Sequence, residues 1–203
     1  VDHTEFRDHE RPSLRDGVRL LYAGAPGRKD MLDPLLAGFS RLPDDLRSRV
    51  HLVIAGISRH QAAASSGSGE SALAALEPNV TFLGRVPRSR VLDLLAGSHF
   101  SVLIRPDAGY AAYGFPSKVP ESLAAGCPVF LNHTSDLDRY IRDGEAGIVV
   151  GGYGPDDVRV GLERALALDD VTWEGMSRAA HGIGLRSFDY RTWQQALSGF
   201  VRR

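Results

Sequence analysis

Short apolar runs alternate with helix-like segments along most of the chain. Six of these runs have the length of a strand and are apolar at nearly every position: VRLLYAG (18–24), VHLVIAG (50–56), NVTFLG (79–84), HFSVLIRP (99–106), PVFLN (128–132) and AGIVV (146–150). Strands that are apolar on both faces are typical of a parallel sheet covered by helices on both sides. The pattern therefore predicts repeated βα units.

Helical patterns follow the predicted strands. They cover 29–42, the region of 72–76, 88–96, 118–125, the region of 137–142, and 155–168. Right-handed crossovers leave few other ways to pack this alternation, so the sequence predicts an α/β fold with a doubly wound, Rossmann-like parallel sheet of six strands. The segments VTWEGMSRAAHGI and FDYRTWQQALSGFVRR predict extra C-terminal helices.

The first 16 residues show neither helical nor strand periodicity. We expect residues 1–16 to form a linker or irregular segment and 17–203 to form one Rossmann-like domain. The stretch SSGSGES (65–71) predicts a mobile surface loop.

Charge and composition exclude several classes of protein. The chain carries 24 basic and 25 acidic residues, so it lacks the positive surface expected of a nucleic-acid binder. One cysteine and the absence of a zinc-like Cys/His cluster predict neither an internal disulfide nor a metal, and we expect no cofactor. No apolar run approaches the roughly 20 residues of a membrane span, and the first residues are charged, which predicts a cytoplasmic chain without a transmembrane segment.

Ligands of open α/β sheets lie at the carboxyl ends of the strands. The loop GAPGRKD (24–30) after the first strand offers Gly24 for close approach of a phosphate, and Arg28 and Lys29 for charge. An ordinary strand-to-helix turn with a solvated basic pair is the alternative.

A second candidate lies at the start of the helix over 118–125. There Pro116 precedes the helix, Ser117 can cap it, and Lys118 would point at an anion. Glu121, one turn later, would face the same cleft, where a carboxylate suits a ribose diol. The alternative is that Lys118 and Glu121 form a surface pair at i,i+3 spacing.

The use of lysine favours the phosphate interpretation. Of the 24 basic residues only Lys29 and Lys118 are lysines, and they lie in the two turns predicted to flank one cleft. Lysine provides a compact point charge that arginine does not replace where a phosphate lies in a confined space.

Three stretches, in order, resemble the C-terminal, donor-binding domain of group 1 retaining glycosyltransferases, which have two Rossmann domains (the GT-B type) and use nucleotide sugars. YAGAPGRKD is similar to the family's G-x-x-x-x-K turn, with Gly24 and Lys29 at the matching positions. YGFPSKVPESLAAGCPVF is similar to E-x-G/F-x-x-x-E followed by A-x-G-x-P-V, with Glu121 at the second glutamate. SDLDRYIRDGEAGIVV is similar to E-x-I-x-D-G-x-x-G-x-L-V. The resemblance extends over about 18–203.

The resemblance implies a role for each matching residue. Lys29 and Glu121 would serve catalysis, Lys29 by stabilising the leaving diphosphate and Glu121 by holding the ribose hydroxyls. The other implied contacts are Gly24, Arg28, Ser117 and Lys118 to phosphate, Arg85 and Val86 of the GRVPR turn to the nucleoside, and Tyr113, Gly114, Phe115 and Pro116 to the sugar.

Two positions depart from the family pattern. Tyr113 replaces the first glutamate, and Ala25 replaces a common arginine. A phenol is uncharged at neutral pH, so Tyr113 cannot act electrostatically as a carboxylate does. Both departures leave the identity of the sugar open.

The resemblance also implies partners. The donor would be a UDP-, GDP- or ADP-sugar, and the N-terminal acceptor domain would be missing from this chain. The chain alone would then bind nucleotide without transferring sugar, and the full protein would be cytoplasmic or peripheral at the inner membrane face.

Three other classes of function are alternatives. A non-catalytic nucleotide-sugar-binding domain and a GT-B epimerase or phosphorylase fragment are both compatible with the fold. A receiver domain is disfavoured, because Gly24, Ala25 and Pro26 stand where it needs acidic residues.

Several single residues also invite interpretation. We expect Cys127 to be buried, His133 to be solvated or capping, and Trp173 and Trp193 to pack in the core or between domains. Asp107 and Tyr110, in the long loop after the fourth predicted strand, could contact a ligand.

Overall fold

The computed structural model describes residues 1–6, 12–25, 30–65, 69–107 and 109–201. The strands within these ranges are β1 (Val18–Ala23), β2 (Val50–Ala55), β3 (Val80–Gly84), β4 (Phe100–Leu103), β5 (Val129–Asn132) and β6 (Gly147–Val150). They form one parallel sheet in the order β3-β2-β1-β4-β5-β6. The predicted doubly wound, six-strand sheet is confirmed, and the strand order reverses between β1 and β4.

The helices are α1 (Asp33–Ser40), α2 (Asp44–Arg47), α3 (Arg59–Ser65), α4 (Glu70–Ala74), α5 (Arg88–Ala96), α6 (Gly109–Ala112), α7 (Lys118–Ala124), α8 (Pro155–Leu166), α9 (Asp170–Phe188) and α10 (Tyr190–Val201). The first predicted helix begins at Asp33 rather than at residue 29, with Pro34 in its first turn, where a missing N–H costs nothing. The segment around 137–142 contains only a 3-10 turn, Leu137–Arg139, because Gly144 reverses the chain soon afterwards at a φ of 78°.

The sheet is buried on both faces. Leu20 and Tyr22 of β1 pack in the cluster beneath α1 and α8, whereas Leu21 between them packs on the opposite side, towards α5. On that same side Leu123 of α7 and Ile183 of α9 join a further cluster. The continuous apolar strands of the sequence therefore reflect two helical layers.

The predicted C-terminal helices are confirmed as α9 and α10. Trp173 of α9 is 1% exposed, and its indole N–H donates to the His99 carbonyl at 2.9 Å, so its predicted place in the core is confirmed. Ser177 donates to the Gly126 carbonyl at 2.6 Å and fixes α9 against the end of α7. Trp193 on α10 is 55% exposed, so the prediction that it packs in the core of this domain was wrong. The alternative, that it packs between domains, remains a prediction.

The described parts of the N-terminal segment, residues 1–6 and 12–16, contain two 3-10 turns, His3–Glu5 and Leu14–Asp16. Leu14 is buried in the main core, and Asp2 accepts from Arg191 of α10 at 2.8 Å. Residues 7–11 lie outside the described part of the chain, as do residues 66–68 of the predicted Ser/Gly-rich loop.

Across the described ranges, we find no helix that is both long enough and apolar enough to cross a membrane.

Candidate functional site

A cleft opens at the carboxyl end of β1, at the point where the strand order reverses. Crevices at this point of an open α/β sheet are where ligands bind. The volume of this cleft is about 370 Å³, within the range of small-molecule sites. The lining residues come from the ends of β1 and β2, from the turn after β3, from β4, and from α5 and α7: Ala23, Gly24, Ala25, Ala55, Gly56, Arg85, Val86, Val91, Leu95, Ser101, Lys118, Glu121 and Ser122.

Glycines form the floor of the cleft. Gly24 and Gly56 have φ angles of 142° and 116°, which other residues rarely adopt. A Cβ on Gly56 would lie 2.5 Å from the Gly24 carbonyl oxygen, and a Cβ on Gly24 would collide with the Lys118 ammonium group. Close packing against neighbouring atoms therefore requires glycine at both positions. Gly24 also lines the cleft, so its backbone is accessible to a ligand group, and Lys118 lies directly beside it.

A carboxylate between two cations stands next to this floor. Asp30 accepts from Nε of Arg105 at 2.9 Å, and its other oxygen forms an ion pair with Lys118. The Asp30 side chain is 13% exposed and that of Arg105 is 9% exposed, whereas that of Lys118 is 31% exposed and reaches the cleft. Burial raises the pKa of Asp30, but the hydrogen bonds and charges of Lys118 and Arg105 outweigh burial and the pKa is lowered.

Arg105 joins several loops at this edge of the sheet. Its backbone N–H donates to Asn132 Oδ1 at 2.9 Å, and its carbonyl accepts from Asn132 Nδ2 at 2.8 Å, which ties the ends of β4 and β5 together. Its Nη1 donates to the Gly114 carbonyl at 3.3 Å. Arg105 and Asp30 were not predicted as site residues. The available signal was the ionic and amide side chains that follow otherwise apolar strands.

Glu121 faces the cleft as predicted, and it does not pair with Lys118. Its Oε1 accepts from Nε and Nη2 of Arg88 at 3.3 and 3.1 Å. Lys118 instead pairs with Asp30, so the interpretation of Lys118 and Glu121 as a surface pair was wrong. Each side chain is directed towards an oppositely charged residue of another element.

Ser117 does not cap α7 with its side chain. Its backbone is already helical, with φ −57° and ψ −22°, whereas a capping residue is extended and bonds the N–H groups of the first turn. The prediction of a Ser117 cap was therefore wrong, and the side chain is exposed.

The predicted site residues divide into three groups. The structure brings Gly24, Arg85, Val86, Lys118 and Glu121 together around one cleft. A second group lies just before α7 and outside the lining of the cleft: the predicted sugar contacts Tyr113, Gly114, Phe115 and Pro116, and the predicted phosphate contact Ser117. Two predicted phosphate contacts, Arg28 and Lys29, fall outside the described residues.

Two side chains of the 113–116 loop differ in their surroundings. Tyr113 is 81% exposed. Phe115 packs against Tyr140 and Phe188, with ring centroids 5.5 and 5.4 Å away, and this contact anchors the loop to α9.

The remaining single-residue predictions have mixed outcomes. Cys127 is 1% exposed, which confirms its burial. His133 is exposed, as predicted, and its Nε2 lies 3.0 Å from the Ile141 carbonyl oxygen. Asp107 is exposed, and the Tyr110 side chain lies outside the described residues. No group of three or more His, Cys, Asp or Glu side chains suited to a metal ion occurs in the described ranges.

The sequence matches one protein family over most of its length. The family described as "Glycosyl transferases group 1" matches residues 5–179. A search of curated proteins finds no match to this chain.

Two solved structures share the fold over the whole of this chain. HepE of Anabaena, in complex with UDP-glucose, is 14% identical with a TM-score of 0.75, and the match covers 100% of this chain and 55% of HepE. Sucrose-phosphate synthase of Thermosynechococcus elongatus is 17% identical with a TM-score of 0.75, over 100% of this chain and 50% of the synthase. The chain thus spans about half the length of these two proteins.

A third structure is itself a part of a protein. It is the C-terminal domain of a glycosyl transferase group 1 family protein (LpcC) of Francisella tularensis, 14% identical with a TM-score of 0.72, and the match covers 93% of this chain and 98% of that domain. At these identities the structural matches establish the fold.

Proposed function

Because this chain belongs to the glycosyl transferases of group 1, we propose that it is the donor-binding part of a retaining enzyme that transfers a sugar from a nucleoside-diphosphate sugar to an acceptor. One observation carries the proposal. The cleft at the β1/β4 reversal combines an open backbone at Gly24, the ammonium group of Lys118 and the carboxylate of Glu121. These three groups match the diphosphate and ribose of one nucleotide.

The nucleotide would lie across the cleft from the floor towards α5. The diphosphate would bind at Gly24 and Lys118, where a compact charge meets an open backbone. Glu121 would accept hydrogen bonds from the ribose hydroxyls, and the base would rest on the Arg85 and Val86 backbone. The complex of HepE with UDP-glucose supports a nucleotide sugar as the ligand class.

The same positive groups would act on the leaving group. Negative charge grows on the diphosphate as the bond to the sugar breaks, and fixed cations beside it lower the barrier. Lys118 would supply this charge, together with Lys29, the lysine of the G-x-x-x-x-K motif, and the adjacent Arg28. We propose that these residues neutralise the diphosphate without a metal ion or another cofactor.

The transferred sugar would lie towards the loop 113–116. Arg105 holds this loop through the Gly114 carbonyl, and Phe115 anchors it on α9. Tyr113 would offer a neutral hydrogen-bond donor at the position where the family has a carboxylate.

Transfer would need a second domain. The chain spans about half of HepE and of sucrose-phosphate synthase. We propose that the acceptor site lies on the other half, so that this chain alone binds nucleotide and transfers no sugar. Robust transfer by the 203-residue chain in a radiolabelled-donor assay would refute this part of the proposal.

Calorimetric titration with UDP, GDP and ADP tests the site. One diphosphate should bind, and Lys118→Ala and Glu121→Ala should each weaken binding by about 1 to 3 kcal/mol, the usual scale for a charge-assisted hydrogen bond. Glu163→Ala is the matched control, because this carboxylate pairs with Arg159 on α8, away from the cleft. Absence of binding at millimolar nucleotide, or unchanged binding in both cleft variants, would contradict the proposal.

A non-catalytic nucleotide-sugar-binding domain is the second candidate function. The exposed Tyr113 favours it, because a phenol does not replace the charge of the family's first glutamate. Donor binding without transfer or hydrolysis by the longer protein would support this alternative.

A further inference from the structure

The Glu121 carboxylate accepts hydrogen bonds from an arginine that does not line the cleft. Arg88, the first residue of α5, donates from Nε and Nη2 to the same oxygen, Oε1, at 3.3 and 3.1 Å. Resting on the proposed function, we propose that Arg88, itself held by Glu5, is a positioning residue that orients Glu121 towards the ribose hydroxyls of the donor nucleotide.

The bonding pattern leaves one carboxylate oxygen for a ligand. Both hydrogen bonds from Arg88 go to Oε1, and among the described residues no group donates to Oε2 of Glu121. A carboxylate fixed at one oxygen presents the other in a defined direction, and that oxygen has two lone-pair positions for a vicinal diol. The Glu121 side chain is 31% exposed, so a ligand in the cleft can reach it.

Glu5 completes the arrangement from the N-terminal segment. Arg88 Nη2 also donates to Glu5 Oε2 at 2.8 Å, so the guanidinium group lies between two carboxylates. The hydrogen bonds that Arg88 donates to Glu5 and then to Glu121 raise the pKa of Arg88 above its ordinary value. Without Arg88 the two like charges would repel each other and Glu121 would lose its fixed orientation.

The turn that contains Glu5 is itself anchored to the domain. It follows Asp2, which accepts from Thr4 and pairs with Arg191 of α10. A chain of contacts therefore runs from α10 through the N-terminal turn and Arg88 to the cleft. The segment before the sheet thus becomes part of the nucleoside site rather than a passive linker.

The expected effect is modest because the pair is partly exposed. The Arg88 side chain is 52% exposed, and exposed ion pairs are worth little in water. Loss of Arg88 should therefore weaken nucleotide binding about two- to fivefold. Because Arg88 acts through the ribose contact alone, a nucleotide without the 2′-hydroxyl should lose less.

A comparison of ribose with deoxyribose tests the role. The nucleoside diphosphate that binds best among UDP, GDP and ADP is titrated alongside its 2′-deoxy counterpart, with the wild-type chain and with Arg88→Ala, Arg88→Lys and Arg90→Ala. Arg88→Ala should lower the ratio of ribose to deoxyribose affinity about two- to fivefold, and Arg88→Lys should restore part of it. Arg90 is an exposed arginine two residues further along α5, and Arg90→Ala should leave the ratio of ribose to deoxyribose affinity unchanged.

A double-mutant cycle of Arg88 and Glu121 distinguishes a positioning role for Arg88 from a direct contact between Arg88 and the nucleotide. In a Glu121→Ala background, Arg88→Ala should change nucleotide affinity no further, because the group on which it acts is gone. Melting temperatures of all variants confirm folding.

The outcomes distinguish this inference from the proposed function. Equal losses for the ribose and deoxyribose ligands, or an undiminished effect of Arg88→Ala without Glu121, would overturn the positioning role alone. Failure of the wild-type chain to bind any of the three nucleotides would overturn the proposed function and this inference with it.

Discussion

Asp30 is the residue that holds the charged edge of the cleft together. Its carboxylate pairs with the nearly buried Arg105 on one side and with Lys118 on the other. The Tyr22 hydroxyl donates to the Asp30 carbonyl at 3.1 Å and fixes the backbone there. A buried cation that loses its partner is costly, so the stability of this edge should depend on the ionised form of Asp30.

Replacement of Asp30 by asparagine should therefore destabilise the domain in a pH-dependent manner. At pH 7 we expect Asp30→Asn to lower the free energy of unfolding by roughly 2 to 4 kcal/mol, because Arg105 loses its counter-charge. The folded-state pKa of Asp30 lies below its ordinary value of 3.8, so this stability is present above about pH 4 and is lost as pH falls through the lowered pKa. Urea unfolding at pH 7 and pH 3 measures both effects.

Asp44→Asn provides the control for this experiment. Asp44 pairs with Arg47 on the surface, and its side chain is 91% exposed. The same chemical change there should alter stability by less than about 0.5 kcal/mol. Equal losses in the two variants, or a constant difference between wild type and Asp30→Asn down to pH 3, would contradict the role of Asp30.

The residues that the sequence predicted and those it missed differ in a physical respect. Lys118 and Glu121 could be placed in one cleft because both lie one turn apart on a helix that starts at the carboxyl edge of the sheet. Their partners could not, because Asp30 and Arg88 belong to other elements, 88 and 33 positions away along the chain. Local periodicity carries no information on such pairs.

At the scale of elements, the sequence predicted all six strands to within a few residues. Their apolar runs leave little ambiguity, since the strands inside the sheet, such as β4 and β5, are buried on both faces. The ends of the strands were predicted less accurately: the predicted run covers 99–106, whereas β4 covers only Phe100–Leu103. Beyond Leu103 the chain leaves the sheet, where Asn132 bonds the Arg105 backbone in place of a neighbouring strand.

Two glycines in helices should respond in opposite ways to the same substitution. A Cβ on Gly161 of α8 would lie 2.6 Å from Phe130 Cζ in the sheet. Apart from the adjoining residues and backbone of its own helix, one on Gly175 of α9 would meet no heavy atom of the described residues within 4 Å. We expect Gly161→Ala to destabilise the domain by about 1 to 3 kcal/mol through overpacking. Gly175→Ala should stabilise it by about 0.5 to 1 kcal/mol through helix propensity.

Thermal or urea unfolding of the two glycine variants gives the comparison directly. A stabilising Gly161→Ala would show that α8 can move away from the sheet at no cost. A destabilising Gly175→Ala would show that this face of α9 is more crowded than its surroundings indicate.

At the scale of the whole molecule, the strand order decides where the chemistry lies. The reversal between β1 and β4 opens the cleft and brings residues of β1, α5 and α7 to its walls. The sequence predicted a doubly wound sheet and so an edge where ligands bind, but alternation alone does not specify which strands are neighbours. That information lies in long-range packing.

A crystal structure of the chain grown with the nucleoside diphosphate that binds best would show the nucleotide site directly. We expect the diphosphate beside Gly24 and Lys118 and the ribose hydroxyls within hydrogen-bonding distance of Glu121. A nucleotide bound instead in the separate cavity between α5 and the Glu5–Phe6 segment, or a cleft that stays empty at saturating nucleotide, would contradict the proposed site.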